Sequence, residues 1–222
     1  MLTTLAMLFS TLLPWGWRRR FLERRFGYSL HPTSRIGFAW IFPRQLVMEE
    51  HARIGHLTVC KGADLLHVGA YAIIGQLNWI TGFPTRISRH FAHQTDRRAE
   101  LIVERHAGIS SRHLIDCTAR IRLGAFSTLG GFRSQLITHS IDLAAGRQSS
   151  EPIDIGEYCF LGTEAVVLGG SRLPHHSVLG AKSLLNKKWD MPFHLYGGVP
   201  AKPLKQLPED MEYFRRQEGF VW

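Results

Sequence analysis

Cysteine is scarce in this chain. Its 222 residues include only Cys60, Cys117 and Cys159, far apart and without a CxxC or CxH spacing. An odd and scattered set supports neither a disulfide framework nor a structural zinc site. Three small buried side chains in a reducing, cytoplasmic compartment are the expectation. Acidic residues are few as well: 18 Asp and Glu stand against 27 Lys and Arg, a net charge of +9. Phosphates, nucleic acid and an anionic membrane surface all suit that charge. No nucleic-acid motif accompanies it, and the arginines gather at the N-terminus and in one segment, so nucleic acid is not an expected partner. No apolar run reaches the roughly 20 residues of a spanning helix. The 21 glycines follow no Gly-X-Y period, which excludes collagen. With 45% hydrophobic and 20% charged residues, the chain can bury a sizeable core.

The first 17 residues, MLTTLAMLFSTLLPWGW, carry no side-chain charge, and RRRFLERRF follows. A secretory signal has its positive charge before the apolar part, not after it. The spacing predicts a short helix over 3–13, ended by Pro14, within an N-terminal apolar and basic segment, 1–30. Arg18, Arg19, Arg20, Arg24 and Arg25 alternate with Trp15, Trp17, Phe21 and Phe26. That mixture suits peripheral contact with a membrane interface. It equally suits a helix packed on its own domain or on a neighbouring subunit.

From residue 155 the chain divides into sixes: IGEYCF, LGTEAV, VLGGSR, LPHHSV, LGAKSL, LNKKWD. The leaders are Ile155, Leu161, Val167, Leu173, Leu179 and Leu185. Small residues, Ala165, Ser171, Ser177 and Ser183, hold the fifth place of four hexads. The period recurs earlier, led by Val68, Ile74 and Ile80, and by Val103, Ile109, Ile115 and Ile121. Leu123 and Leu129 continue it after a phase shift, and Ile36 and Ile54 begin similar hexads. A helix repeats at 3.6 and a strand at 2, so neither gives a strict six. Six residues suit one flat side of a triangular coil: a short strand, an inward aliphatic leader and a tight turn that glycine relieves. Three sides make a coil of about eighteen residues. The fold expected is all-β, a β-helix over 31–190 with short N- and C-terminal helices.

The repeat breaks twice, at the polar and basic 82–100 and at 143–152 (LAAGRQSSEP), and loops on a rigid scaffold commonly carry function. Residues 191–222 are expected to form a Pro/Gly turn segment and a helix over PEDMEYFRRQ.

The hexads, together with THSID (138–142), the run LGTEAVVLGGSRLPHHSVLGAKSLLNKK and the closing GGVPAK (197–202), resemble the hexapeptide-repeat acyltransferases. The resemblance covers roughly residues 34–207 and is strongest to bacterial sugar and polysaccharide O-acetyltransferases. It implies a left-handed parallel β-helix, a homotrimer, acetyl-CoA as acyl donor in a groove between neighbouring helices, and a sugar or surface-polysaccharide hydroxyl as acceptor. N-acylation of an amino sugar is the alternative within the fold.

The resemblance of THSID singles out His139 as general base, since histidine titrates near neutrality. Asp142, three residues on, is the expected orienter of the imidazole, with Asp154 as rival. Gly162 and Thr163 match the position facing the thioester, where a backbone N–H can hold an oxyanion. Phe160 stands where many members carry Trp. Ala181, Lys187, Lys202 and Lys205 match the remaining CoA positions, with Lys188 able to replace Lys187. For the acceptor, Asn78 and the arginines Arg86, Arg89, Arg97 and Arg98 are candidates. A carbonic-anhydrase-type zinc site on the same kind of helix would need His31, His51 and His56, which are out of place on the coils, and no metal is expected. A non-catalytic β-helix scaffold is the other rival.

Overall fold

The computed structural model describes residues 2–86, 89–219 and 221. Its body is a three-sided prism of short parallel strands, a left-handed parallel β-helix. Face A holds seven strands, from Ser29–Leu30 to Arg172–Leu173. Face C also holds seven, from Trp40–Phe42 to Leu184–Leu185. Face B runs from Arg35–Ile36 to Val178–Leu179 and is extended by the antiparallel pair His194–Gly198 and Ala201–Gln206. The coils therefore begin at Ser29 and end in a hairpin beyond 190. The GGVPAK segment forms the turn of that hairpin.

The leaders stack as the period requires. Leu30, Met48, Val68, Val103, Leu123, Ile155 and Leu173 form one column. Ile36, Ile54, Ile74, Ile109, Leu129, Leu161, Leu179 and Tyr196 form the second. Ile41, Cys60, Ile80, Ile115, Leu136, Val167 and Leu185 form the third. All are buried. Apart from Cys60 and Tyr196, each removes a Val, Leu, Ile or Met side chain from water, worth roughly 1.5–3 kcal/mol. The small fifth-place residues Ala165, Ser171, Ser177 and Ser183 are buried where the coil narrows. Cys60, Cys117 and Cys159 are buried free thiols.

Glycine relieves some turns as expected, at Gly62, Gly131 and Gly170 with φ +77°, +69° and +79°, but most corners do without it. Among the described residues, thirteen non-glycine residues take the left-handed conformation, φ +52° to +63°, and they do so at the A–B and B–C corners, from His51 and Leu57 to Lys182 and Phe193. The glycine after a leader instead permits close stacking. A Cβ on Gly162 would lie 2.6 Å from Ala181 N, one coil away. The A–B corner carries a stack of rings: His51, Tyr71, His106, Phe126, Tyr158, His176 and Phe193, with centroids 4.7–5.0 Å apart. The terminal helix is shorter than expected, Glu212–Arg215. Phe214 lies against His176 and Phe193, and Arg216 lies over Tyr158 and Phe126.

The N-terminus contains two helices, α1 (Leu2–Ser10) and α2 (Trp15–Phe26), rather than one. Pro14 separates them, and Gly27, at φ +67°, ends α2 by donating its N–H to Glu23 O. The α2 helix closes the end of the prism. Leu22 is fully buried, and the Arg18 guanidinium donates to Gly37 O and Ala39 O, both at 2.7 Å. Burial lowers the Arg18 pKa to about 10, so the cation persists at neutral pH.

Asn78 is only 1% exposed and serves the B–C corner: its Nδ2 donates to Ser110 O, and its Oδ1 accepts from His113 N. It is a strut between coils, which corrects the acceptor-binding role expected for it. Beside it, His113 Nδ1 accepts from Ser134 N, which fixes the ring proton on Nε2, toward Ser110 Oγ at 2.9 Å. Burial of this ring, 2% exposed, pushes its pKa from 6.5 to about 4. The unfolded chain binds this proton more readily, so stability is complete above pH 6.5 and is lost as pH falls through about 4. The shift corresponds to about 3 kcal/mol. Urea midpoints at fixed protein concentration should fall across that window, and His113→Gln should flatten the fall. An unchanged slope in the variant would remove His113 as its cause.

Candidate active site

Both interruptions of the repeat leave from the C–A corner. The first, between Thr81 and Glu100, carries a short 3-10 turn, Arg89–Phe91. The second is a two-stranded hairpin in which His139–Asp142 pairs with Arg147–Ser150. It opens at His139, four residues before the break in the period. The two insertions are tied together: Gln94 donates to Ser150 O, and its Oε1 accepts from Ser150 N and Oγ. Arg97 fastens the first one by donating to Phe83 O, Thr118 O and Pro84 O. Burial lowers the Arg97 pKa, against the pull of Asp64 and Asp116. Arg97 is thus a brace of the loop, which replaces the acceptor contact expected for it, while Arg86, Arg89 and Arg98 are exposed.

His139 lies between these insertions. Its Nδ1 is 2.5 Å from Asp116 Oδ2, and its ring, one third exposed, meets Phe83 and Phe91 edge-on at 5.5 and 6.2 Å. Asp116, 6% exposed, accepts at Oδ1 from Thr118 Oγ1 and N, and at Oδ2 from Thr138 N and His139 N. A carboxylate surrounded by donors stays an acceptor, so Nδ1 carries a proton toward it. Nε2 then presents its lone pair outward, with no hydrogen-bond partner among the described residues. A neutral imidazole so held can remove a proton from an incoming hydroxyl.

Asp142 does not orient His139. It accepts from Ala144 N and Ala145 N at the hairpin tip. Residues i and i+3 of an extended strand point to opposite faces, which is why it cannot reach the ring. Asp154 pairs with Arg122 on face A. Sequence reasoning missed Asp116, Phe83, Phe91 and Gln94. The usable signal for Asp116 was register: it pairs with Ile137, two residues before His139.

Gly162, Thr163 and Ala181 come together at the B–C corner, a different edge of the prism from His139. The Gly162 N–H already donates to Leu179 O, so it is not free to hold an oxyanion. The N–H groups of Thr163 and Ala181 have no partner among the described residues. Lys202 and Lys205 are exposed on the last strand of face B. Lys187 lies apart, with Nζ 4.6 Å from the Trp189 ring centroid, and Lys188 is exposed. Phe160 meets Tyr213 edge-on and lines an apolar groove of about 530 Å³ on face B. His31, His51 and His56 do not converge. His51 belongs to the ring stack, His56 accepts from Phe38 N, and His31 faces Thr33. Among the described residues, no group of three metal-ligating side chains is placed to hold an ion.

No family model matches the chain. It is 38% identical over 70 residues to a chloramphenicol acetyltransferase of Klebsiella aerogenes, a match covering 31% of this chain and 33% of that protein. The match thus spans about a third of the curated relative's length. Among solved structures, it is similar to a hexapeptide-repeat acetyltransferase from Vibrio cholerae at 19% identity and a TM-score of 0.45, covering 91% of this chain and 87% of that one. An N-acyltransferase from Bacillus cereus, solved with dTDP and coenzyme A, is 12% identical with a TM-score of 0.48, covering 86% and 90%. By its own six-residue repeat and its three parallel faces, the chain is a hexapeptide-repeat left-handed β-helix protein.

Proposed function

We propose that the protein is an acetyl-CoA-dependent O-acyltransferase of a sugar or surface-polysaccharide hydroxyl, acting as a homotrimer in the cytoplasm. The observation that carries the reading is His139: an imidazole pinned at Nδ1 by a buried carboxylate, walled by two aromatic rings, with Nε2 open. In the step proposed, Nε2 takes the acceptor's hydroxyl proton as the oxygen attacks the thioester carbonyl. The tetrahedral intermediate collapses, the C–S bond breaks, and the departing thiolate takes the proton back from the imidazolium. Attack is direct, and no acyl-enzyme forms.

The residues present fit a CoA at the B–C corner. The free N–H groups of Thr163 and Ala181 suit the thioester oxygen and the pantetheine amides, and Lys202 and Lys205 suit phosphates. This corner and His139 lie on different edges of one chain, so a complete site needs His139 of one subunit beside the B–C corner of the next. That geometry favours the trimer. A groove of about 460 Å³, lined in part by His93, Asp96, Arg98, Arg120 and Ser150, the last paired with His139 in the hairpin, suits a hydroxyl-rich acceptor.

Calorimetric titration with acetyl-CoA tests the donor, and light scattering tests the assembly. Saturable binding near one CoA per chain is expected. A folded trimer that binds no acetyl-CoA would leave the scaffold reading in its place.

A further inference from the structure

The N-terminal helices carry a surface that acyl transfer does not use. The inner side of α2 is committed to the prism through Arg18 and Leu22, with Trp15 partly buried against the core. The outer side of α2 is not covered, nor are Phe9 of α1 and Leu12 of the turn that joins the two helices. Phe9 is 61%, Leu12 71% and Trp17 70% exposed. Trp17, Arg20 and Arg24 form a stripe along α2 at helical spacings and line one groove with Leu13 of the preceding turn and Phe21, which is partly buried against the core. Three arginines, Arg20, Arg24 and Arg25, are exposed there and have no carboxylate partner among the described residues. The one acidic residue of the segment, Glu23, is paired with Arg19 at 3.0 Å. No described helix is long and apolar enough to cross a membrane.

We infer that this arm docks the protein on an anionic lipid bilayer. Exposed aromatic and aliphatic side chains on the same N-terminal arm as unpaired cations match the two layers of such a surface: the acyl boundary takes Phe9, Leu12 and Trp17, and the phosphate headgroups take the arginines. Charge decides between a bilayer and a second copy of the chain. Copies meeting through this face would set unpaired arginines against one another, whereas anionic headgroups neutralise them. Arginine suits this role because its guanidinium is weakly hydrated and forks onto phosphate oxygens. The arm lies on the surface instead of spanning, and the β-helix projects from the membrane. The inference stands independently of the acyl-transfer reading.

Co-sedimentation of the full chain with vesicles tests it. Vesicles of phosphatidylcholine mixed with phosphatidylglycerol should carry the protein down, and phosphatidylcholine alone should carry much less. Raised salt should release it. Arg20→Gln with Arg24→Gln and Arg25→Gln should weaken partitioning about 100-fold. Phe9→Ser with Leu12→Ser and Trp17→Ser should abolish sedimentation at any salt. All six side chains are exposed, so both variants should keep the wild-type circular dichroism. A folded wild type that ignores both vesicle types, or variants that bind as well as the wild type, would overturn the inference. So would a shift in the sedimentation velocity of the apolar variant without any vesicle binding, which would assign the face to chain–chain contact.

Discussion

His139→Ala should lose about 10³-fold in kcat while acetyl-CoA binding stays at the wild-type level. A positioned general base contributes typically 10²–10⁴-fold, and the middle of that range corresponds to about 4 kcal/mol of barrier. Binding should survive because His139 stands on the C–A corner, while Thr163, Ala181 and the lysines suited to CoA stand on face B and its edge with C. The fold should survive too. The ring is one third exposed, contributes no inward leader to the core, and its hairpin partner Ser150 remains tied to Gln94. Single-turnover kinetics separate the chemical step from binding. Near-normal turnover in a folded His139→Ala would remove the histidine from the chemistry and send the search to another edge of the prism.

The body of the fold was legible because the period is written in the side chains. Each leader from Ile155 to Leu185 enters one of three columns, and a sixfold repeat of aliphatic residues has few other ways to bury itself. What the period cannot show is which residues meet across coils. Asp116 precedes His139 by 23 residues, and only the stacking of Asp116 beside Ile137 brings them together. Asp142 was attractive by proximity in sequence, but proximity at i+3 helps in a helix and not in a strand. Asn78 was a candidate for the acceptor, yet the corner it occupies leaves Ser110 O and His113 N in need of partners, and it supplies both. The α2 helix was concealed by its charge. Five arginines in eight residues, set among aromatic rings, suited a membrane interface and a packed helix alike, and nothing in the run marks Arg18 as the one directed inward at the open carbonyls of the first coil.

Asp116→Asn tests the arrangement rather than the base, and kcat should fall about 10²–10³-fold with the KM values of donor and acceptor little changed. Every contact of the Asp116 carboxylate is with a donor: Thr118 Oγ1 and N on one oxygen, Thr138 N and Oγ1, His139 N and His139 Nδ1 on the other. An amide offers only one oxygen. If that oxygen faces His139, the ring keeps its orientation, but the imidazolium formed during reaction loses the negative charge that balanced it. If the NH₂ faces His139, Nδ1 must accept, the ring proton moves to Nε2, and the base is lost. Both outcomes lower kcat without touching either substrate. Asp116→Ala is the harsher variant and the less informative one. It leaves several buried donors unpaired, at about 1–3 kcal/mol each, so lost activity would mix with lost stability. The decisive comparison is Asp116→Asn against wild type at matched thermal stability. A kcat close to wild type there, beside an inactive His139→Ala, would make Asp116 a structural knot of the C–A corner and leave the imidazole to be oriented by Phe83 and Phe91 alone.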